Sequence, residues 1–243
     1  MILNGGTLAS IDPHPYVDPD TNRKYLYIVC DKAAGQVGIA VMEMENWLKP
    51  KWDTFRFIAH PCYYTVEDYL KFNRDNERVA RVTYENNDNR INEGPAVMKH
   101  NGKYYLSFSV NSYGTSDYQI GQAVADSPLG PFRKLTEEEG GLLLSALAVE
   151  SQPAGETSTQ APSGTGHHSF VTAGNQTFIV YHRHRDYETA GSDRYTAIDE
   201  IKWIKNKDGL DVMYANGPTD SVQPLPEIYS KYKNIAGEAT VTA

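Results

Sequence analysis

Two carboxylates stand in matching surroundings. Asp12 comes directly before Pro13, and Glu93 lies two positions before Pro95. Each leads through a polar turn into an aromatic-rich run, Lys24-Tyr25-Leu26-Tyr27-Ile28-Val29 after the first and Lys103-Tyr104-Tyr105-Leu106 after the second. Proline cannot donate to a β-ladder, so a carboxylate beside it belongs at the mouth of a strand rather than in its middle. Two carboxyl groups held in unlike settings, one protonated and one ionised, can flank an acetal carbon and cleave it, as glycosidic hydrolysis requires. The plainer alternative makes Asp12 a turn residue and Glu93 a solvated loop charge. The pattern alone leaves that choice open.

The elements that would position these groups are mostly strands. Runs rich in aromatic and β-branched residues recur at Lys24 to Val29, Val37 to Met44, Thr54 to Ile58, Lys103 to Val110 and Gln119 to Ala125. They continue at Ser169 to Ala173, Thr177 to His182, Tyr195 to Ile204 and Leu210 to Tyr214. Asn101-Gly102, Gly174-Asn175 and Asp208-Gly209 fall between such runs and suit hairpin turns. One helix is expected, Val66 to Phe72, with Thr65 as its N-cap. Many short strands at near-regular spacing define an all-β sandwich, barrel or propeller.

A weak internal repeat chooses among these. The unit is an acidic residue near a proline, a polar turn and an aromatic strand, and it returns from Gly166-His167-His168 to Tyr181 with histidines in place of the carboxylate. In a propeller the first strand of each blade lines the axis, so polar residues at those starts would meet in one place. The period, roughly 70 to 80 residues, exceeds that of the common propeller repeats. Insertions such as Tyr64 to Arg90 and the loop Ser151 to Gly166 account for the excess.

Composition excludes several partners. The net charge is −8 and there is no long basic run, which argues against nucleic acid and anionic membrane. No apolar stretch approaches the roughly 20 residues that span a bilayer, and Met1-Ile2-Leu3-Asn4-Gly5-Gly6 has no signal-peptide character. Cys30 and Cys62 lack metal-ligand spacing and read as two buried thiols in preference to one disulfide. Seventeen tyrosines suit strands with one wet face, or a cleft that stacks on sugar rings.

Four motifs in order carry a family resemblance. Asn4-Gly5-Gly6-Thr7 with Ile11-Asp12-Pro13-His14-Pro15-Tyr16-Val17-Asp18 resembles the second-blade signature of glycoside hydrolase family 43. Ile91-Asn92-Glu93-Gly94-Pro95 with Asn101-Gly102-Lys103-Tyr104-Tyr105-Leu106 is similar to its third-blade signature. Gln119-Ile120-Gly121-Gln122-Ala123 and Ser127-Pro128-Leu129-Gly130-Pro131-Phe132 continue that blade, and Gly164-Thr165-Gly166-His167-His168-Ser169-Phe170 resembles the fourth-blade histidine motif. The resemblance covers residues 4 to 226 and implies an all-β, five-bladed β-propeller.

It also implies roles. Glu93 matches the general acid and Asp12 the second carboxylate that raises the acid's pKa. His167 matches the histidine beneath the sugar subsite, which in many members meets a water-ligated calcium ion; a hydrogen-bonded axial histidine without an ion is the alternative. Arg194 matches an arginine that contacts sugar hydroxyls, against the alternative of a surface salt bridge. Tyr63, Tyr64 and Tyr113 are candidates for stacking on sugar, whereas His182 and His184 read as structural or outer-cleft residues.

The chain departs from the family pattern at its start, where nothing aligns with the first-blade aspartate that serves as general base. The expectation is therefore a propeller of about four blades over residues 1–228, lacking the first, in which Asp18 and Asp20 face solvent and do not replace the base. Residues 229–243 resemble a linker and the opening of a discoidin-like carbohydrate-binding module. The implied function is inverting hydrolysis of pentose residues in xylan, arabinoxylan or arabinan by an extracellular parent protein. The alternative is a carbohydrate-binding propeller that has lost its base, and an open blade edge would invite a second copy to pair.

Overall fold

The computed structural model describes residues 2–3, 6–7, 10–32, 36–86, 91–145, 163–185, 193–219 and 222–230. A two-stranded ribbon, β1 (Ile2–Leu3) and β2 (Gly6–Thr7), precedes three larger antiparallel sheets. The first sheet is β3 (Ser10–Val17), β4 (Lys24–Lys32), β5 (Gln36–Asn46) and β6 (Lys49–Pro50), with β7 (Arg56–Ala59) also on β5. Helix α1 (Val66–Asp75) follows. The second sheet is β8 (Asn92–His100), β9 (Lys103–Val110), β10 (Gln119–Ala125) and β11 (Arg133–Lys134), with β12 (Leu142–Leu144) also on β10. The third is β13 (Ser163–Ala173), β14 (Gln176–His184), β15 (Arg194–Lys205) and β16 (Asp211–Ala215), and helix α2 (Glu227–Ser230) closes the described chain.

Local chemistry explains the boundaries. Asn101 (φ 46°) and Gly102 (φ 79°) both adopt positive φ, as a tight two-residue hairpin between β8 and β9 demands. The Thr65 hydroxyl accepts the Asp68 amide at 3.0 Å and starts α1, which ends at Asn76 in the left-handed conformation.

The three sheets begin alike. β3, β8 and β13 each break register, between Ile11 and His14, between Glu93 and Ala96, and on both sides of Gly166. At these breaks Asp12, Gly94 and His167 have φ of 52°, 56° and 49°. A bulge bends its strand and re-aims a side chain, so one device recurs three times at one end of the molecule. The inner strands lie side by side. Asp12 accepts the Gly94 amide at 3.1 Å, His14 Nε2 accepts the Val97 amide at 3.1 Å, and Lys99 Nζ reaches Asp18 at 3.3 Å. Because these contacts fall in the same order along both strands, β3 and β8 point the same way. β13 meets β8 where a Cβ on Gly94 would stand 3.4 Å from the His167 Cα. Sheets fanning from adjacent co-directional inner strands are blades of a β-propeller.

Two apolar layers hold the blades together. Tyr25, Tyr27, Val29, Ile39 and Val41 of the first sheet pack on Tyr104, Leu106 and Phe108 of the second. Tyr105 and Ile120 pack on Ile179, Tyr181, Ile201 and Met213 of the third. β9 is thus buried on both faces, and its two-residue alternation turns Tyr104 and Leu106 to one neighbour and Tyr105 to the other.

Several expectations change in detail. Among the described residues the chain forms three full blades and the β1–β2 ribbon. Asp12 is the third residue of β3, near the strand mouth and not in a turn. Asp18 does not face solvent: it is 1% exposed, accepts the Asp20 and Thr21 amides and the Tyr104 hydroxyl, and pairs with Lys99. Asp20 is exposed as expected, with Lys99 at 2.8 Å. Cys30 and Cys62 are buried and not joined in a disulfide, as read. Most of the loop Ser151 to Gly166, and the discoidin-like segment beyond Ser230, lie outside the described residues.

Candidate active site

The bulged ends of β3, β8 and β13 bring Asp12, Glu93 and His167 together. Asp12 Oδ2 accepts the Gly94 amide, and its Oδ1 lies 3.6 Å from His167 Nε2. Glu93 Oε1 accepts the Tyr118 hydroxyl at 2.8 Å. Burial pushes the Glu93 carboxyl up, and the negative charge of Asp12 adds to that; the Tyr118 hydrogen bond and His167 oppose it without cancelling it. A glutamic acid so placed keeps its proton to higher pH than an exposed one, which is the property of a general acid.

The strand that presents Glu93 is anchored one residue earlier. Asn92 is fully buried; its side-chain amide donates to Glu85 at 3.1 Å and its Oδ1 accepts from Lys134 Nζ at 2.7 Å. Lys134, 1% exposed, also donates to the His60 carbonyl and pairs with Glu85. The backbone carrying the acid is therefore pinned by a buried ion pair.

Around Tyr118 lies a stack of rings. The His182 ring lies 5.5 Å from it at 16°, and His184 follows 6.4 Å further at 14°. Burial first, then the charge of Arg194 and the neighbouring His167 and His184, lowers the His182 pKa to about 4, so the imidazole is neutral near pH 7. His184 Nε2 is bonded to the Tyr113 carbonyl at 2.8 Å, and the Arg194 guanidinium lies 5.3 Å from the centre of the Tyr113 ring. Tyr113 is 52% exposed and Arg194 is exposed, so both remain open to a ligand beside the Glu93 cluster.

The structure gathers Asp12, Glu93, His167, Arg194 and Tyr113 at one end of the propeller and removes one candidate. Tyr63 is 3% exposed, accepts a hydrogen bond from Asn73, has Arg81 4.3 Å over its ring and packs edge-on against Tyr69. No ring face is left for sugar. Tyr64 is partly buried against the layer between the first two blades. Tyr118 and Ser109, which touch the acid or its neighbours, carry no sequence signal beyond ordinary strand and turn chemistry.

The expected calcium ion is one ligated by water, with His167 beside it. Calcium takes six to eight oxygens, whereas His167 presents one imidazole nitrogen. Among the described residues no three His, Cys, Asp or Glu side chains converge so as to hold a metal ion. An ion held by water would meet His167 through its waters and needs no such cluster.

A propeller whose bulged inner strands assemble a proton-retaining glutamic acid, a second carboxylate and an exposed arginine belongs among the carbohydrate-active hydrolases. The profile of glycosyl hydrolases family 43 matches residues 2–210, and the chain belongs to that family. It is 36% identical over 110 residues to the beta-D-galactofuranosidase xynD of Aspergillus niger, covering 45% of this chain and 28% of that protein. It is 30% identical over 131 residues to the extracellular exo-alpha-(1->5)-L-arabinofuranosidase of Streptomyces avermitilis, covering 49% of this chain and 24% of that protein. A solved thermostable family-43 glycoside hydrolase superposes with a TM-score of 0.65 at 31% identity, over 89% of this chain and 60% of that one. The chain thus spans less than a third of these curated relatives and three-fifths of the solved enzyme.

Proposed function

We propose that this chain carries the acid side of a glycosidase site that hydrolyses pentose residues in xylan, arabinoxylan or arabinan with inversion. The observation that carries the reading is Glu93, raised in pKa by burial and by Asp12 while held by Tyr118. In this reading Glu93 protonates the departing glycosidic oxygen. Asp12 keeps the acid protonated by like-charge proximity and accepts the Gly94 amide. Arg194 and Tyr113 grip and stack on the sugar from the exposed flank. Positive charge then develops at the anomeric carbon, and water attacks its opposite face with a base to take the proton.

Asp18 is not that base. Burial pushes its carboxyl up, but the Tyr104 hydroxyl, the Asp20 and Thr21 amides and Lys99 outweigh burial and hold it at about 2. It also lies six residues beyond Asp12, just past the end of β3, roughly 20 Å of extended chain away. The pentose substrate and the extracellular setting follow the name of the Streptomyces arabinofuranosidase, whereas the Aspergillus relative is named for a hexose, galactofuranose. Calcium has no step in this reading.

Glu93→Gln tests it. Cleavage of pentose oligosaccharides should fall about 10²–10⁴-fold while calorimetry still detects sugar binding. Unchanged turnover would remove Glu93 from the role. Azide needs no deprotonation, so it should promote cleavage of an aryl pentoside by the wild-type chain. Binding with no cleavage, even with azide, would leave a carbohydrate-binding propeller.

A further inference from the structure

Two of the chain's three tryptophans stand in water. Trp47 is 44% exposed and Trp52 50%, and Leu48 beside Trp47 is almost wholly exposed, whereas Trp203 stacks on the His100 ring at 4.0 Å. Indole surface left in water is unfavourable, and a cluster of such surface on a folded protein marks a binding site. The segment that carries it is fixed. Trp47 and Leu48 form the turn between β5 and β6, where the Leu48 amide donates to Asn46 Oδ1 at 2.9 Å. The Lys51 amide donates to the Glu43 carbonyl at 2.9 Å, and Thr54 Oγ1 accepts the Glu43 amide at 2.9 Å, so the single turn Trp52–Thr54 is tied to β5. Both rings are thus presented on a backbone with little freedom left to lose on binding.

A shallow cavity of about 330 Å³ adjoins them, lined by Asn22, Arg23, Lys24, Glu43, Glu45 and Lys51. Lys51 directly precedes Trp52, and Glu45 lies two positions before Trp47. Both carboxylates of the cavity are matched by cations: Glu43 pairs with Lys51 at 2.5 Å and lies 3.9 Å from Arg23, and Glu45 pairs with Lys49 at 2.6 Å. The cavity therefore offers donors and acceptors without a large field of either sign, which suits a neutral, hydroxyl-rich ligand over an anion. A sugar ring meets both halves of this surface, because its C–H face stacks on an indole while its hydroxyls reach the paired charges. The Glu93 cluster is elsewhere. Ser10, Cys30 and Gly38 share one end of the first sheet with Asp12, and Val17, Lys24 and Met44 share the other, beyond which Trp47 lies. We propose that Trp47, Trp52 and the adjoining cavity form a second carbohydrate site, at the opposite end of the first blade from the Glu93 cluster, that holds a neutral pentose polysaccharide. The choice of polymer rests on the glycosidase reading; the site itself does not.

The test is retardation of the intact 243-residue chain in a native gel cast with soluble arabinoxylan, run beside cleavage of a small aryl pentoside. Trp47→Ala combined with Trp52→Ala should weaken retardation about tenfold. The aryl pentoside should be cleaved as before, since it meets only the Glu93 cluster. Trp47→Phe with Trp52→Phe keeps two ring faces and should restore most of the retardation. A wild-type chain that is not retarded, or an alanine pair retarded as strongly as wild type, would overturn the site. A phenylalanine pair as defective as the alanine pair would also overturn it. Trp47→Ala alone, in the exposed turn, decides if the alanine pair does not fold, and should weaken retardation about threefold. Sedimentation showing a wild-type dimer that the alanine pair dissolves, with retardation unchanged, would make this face an interface between copies instead. Retardation through the two indoles by a chain that cleaves nothing would leave this site standing and sink the glycosidase reading.

Discussion

The Gly94 amide donates to Oδ2 of Asp12 across 3.1 Å, so the residue beside the acid is tied to the second carboxylate. One hydrogen bond thereby sets the spacing of two blades and of two ionisable groups. Asp12→Asn keeps the shape and removes the charge. Since Asp12 raises the Glu93 pKa, that variant should move the alkaline limb of kcat/KM to lower pH. A pH profile of the two proteins on one substrate checks it; a limb that stays or rises would deny Asp12 its modulating role.

Gly166→Ala should uncouple Tyr118 from Glu93. A methyl group at this position would overlap the phenol ring, which is fully buried and cannot swing into solvent. Overpacking of this kind costs roughly 1–3 kcal/mol, measurable by urea unfolding. Turnover should fall further than stability alone explains.

Asp18 should make the fold acid-sensitive in a defined window. Its folded pKa of about 2 lies below the ordinary 3.8, so its contribution is complete above about pH 4 and is lost as pH falls toward 2. Asp18→Asn should flatten that part of the stability profile. It should also cost on the order of 3 kcal/mol near pH 7, since Tyr104 loses the charged acceptor of its hydroxyl and Lys99 keeps only the exposed Asp20. Denaturant midpoints collected from pH 2 to 7 would show both effects.

Lys134→Met should destabilise the protein by roughly 3–5 kcal/mol, because Glu85 and Asn92 would remain buried without the ammonium. Pairing it with Glu85→Gln should recover part of the loss. A double variant no more stable than the single would show that the pair does not act as a unit.

Parts of this architecture are legible in the residues. Lys103–Val110 and Gln119–Ala125 are strands with the bounds their composition suggests, and Thr65 caps the one substantial helix among the described residues. The inner strands were harder. Pro13, Pro15 and Pro95 make β3 and β8 read as turns, yet at a bulged axial strand the missing donors lose no ladder bonds. Tyr63 illustrates the opposite failure: nothing in a run of tyrosines tells which ring α1 and Arg81 will cover.

The sequence by itself determined the all-β class, the order of the motifs and the identity of the two carboxylates, because those depend on local spacing and side-chain chemistry. Only the tertiary structure decided what each group became. Asp12 in β3 and Asp18 just past its end are six positions apart, but one meets Gly94 and His167 and the other meets Lys99 and Tyr104. Burial and neighbouring charge set a carboxyl's pKa, and both come from chain segments some eighty residues away or more, brought into contact by the packing of blades.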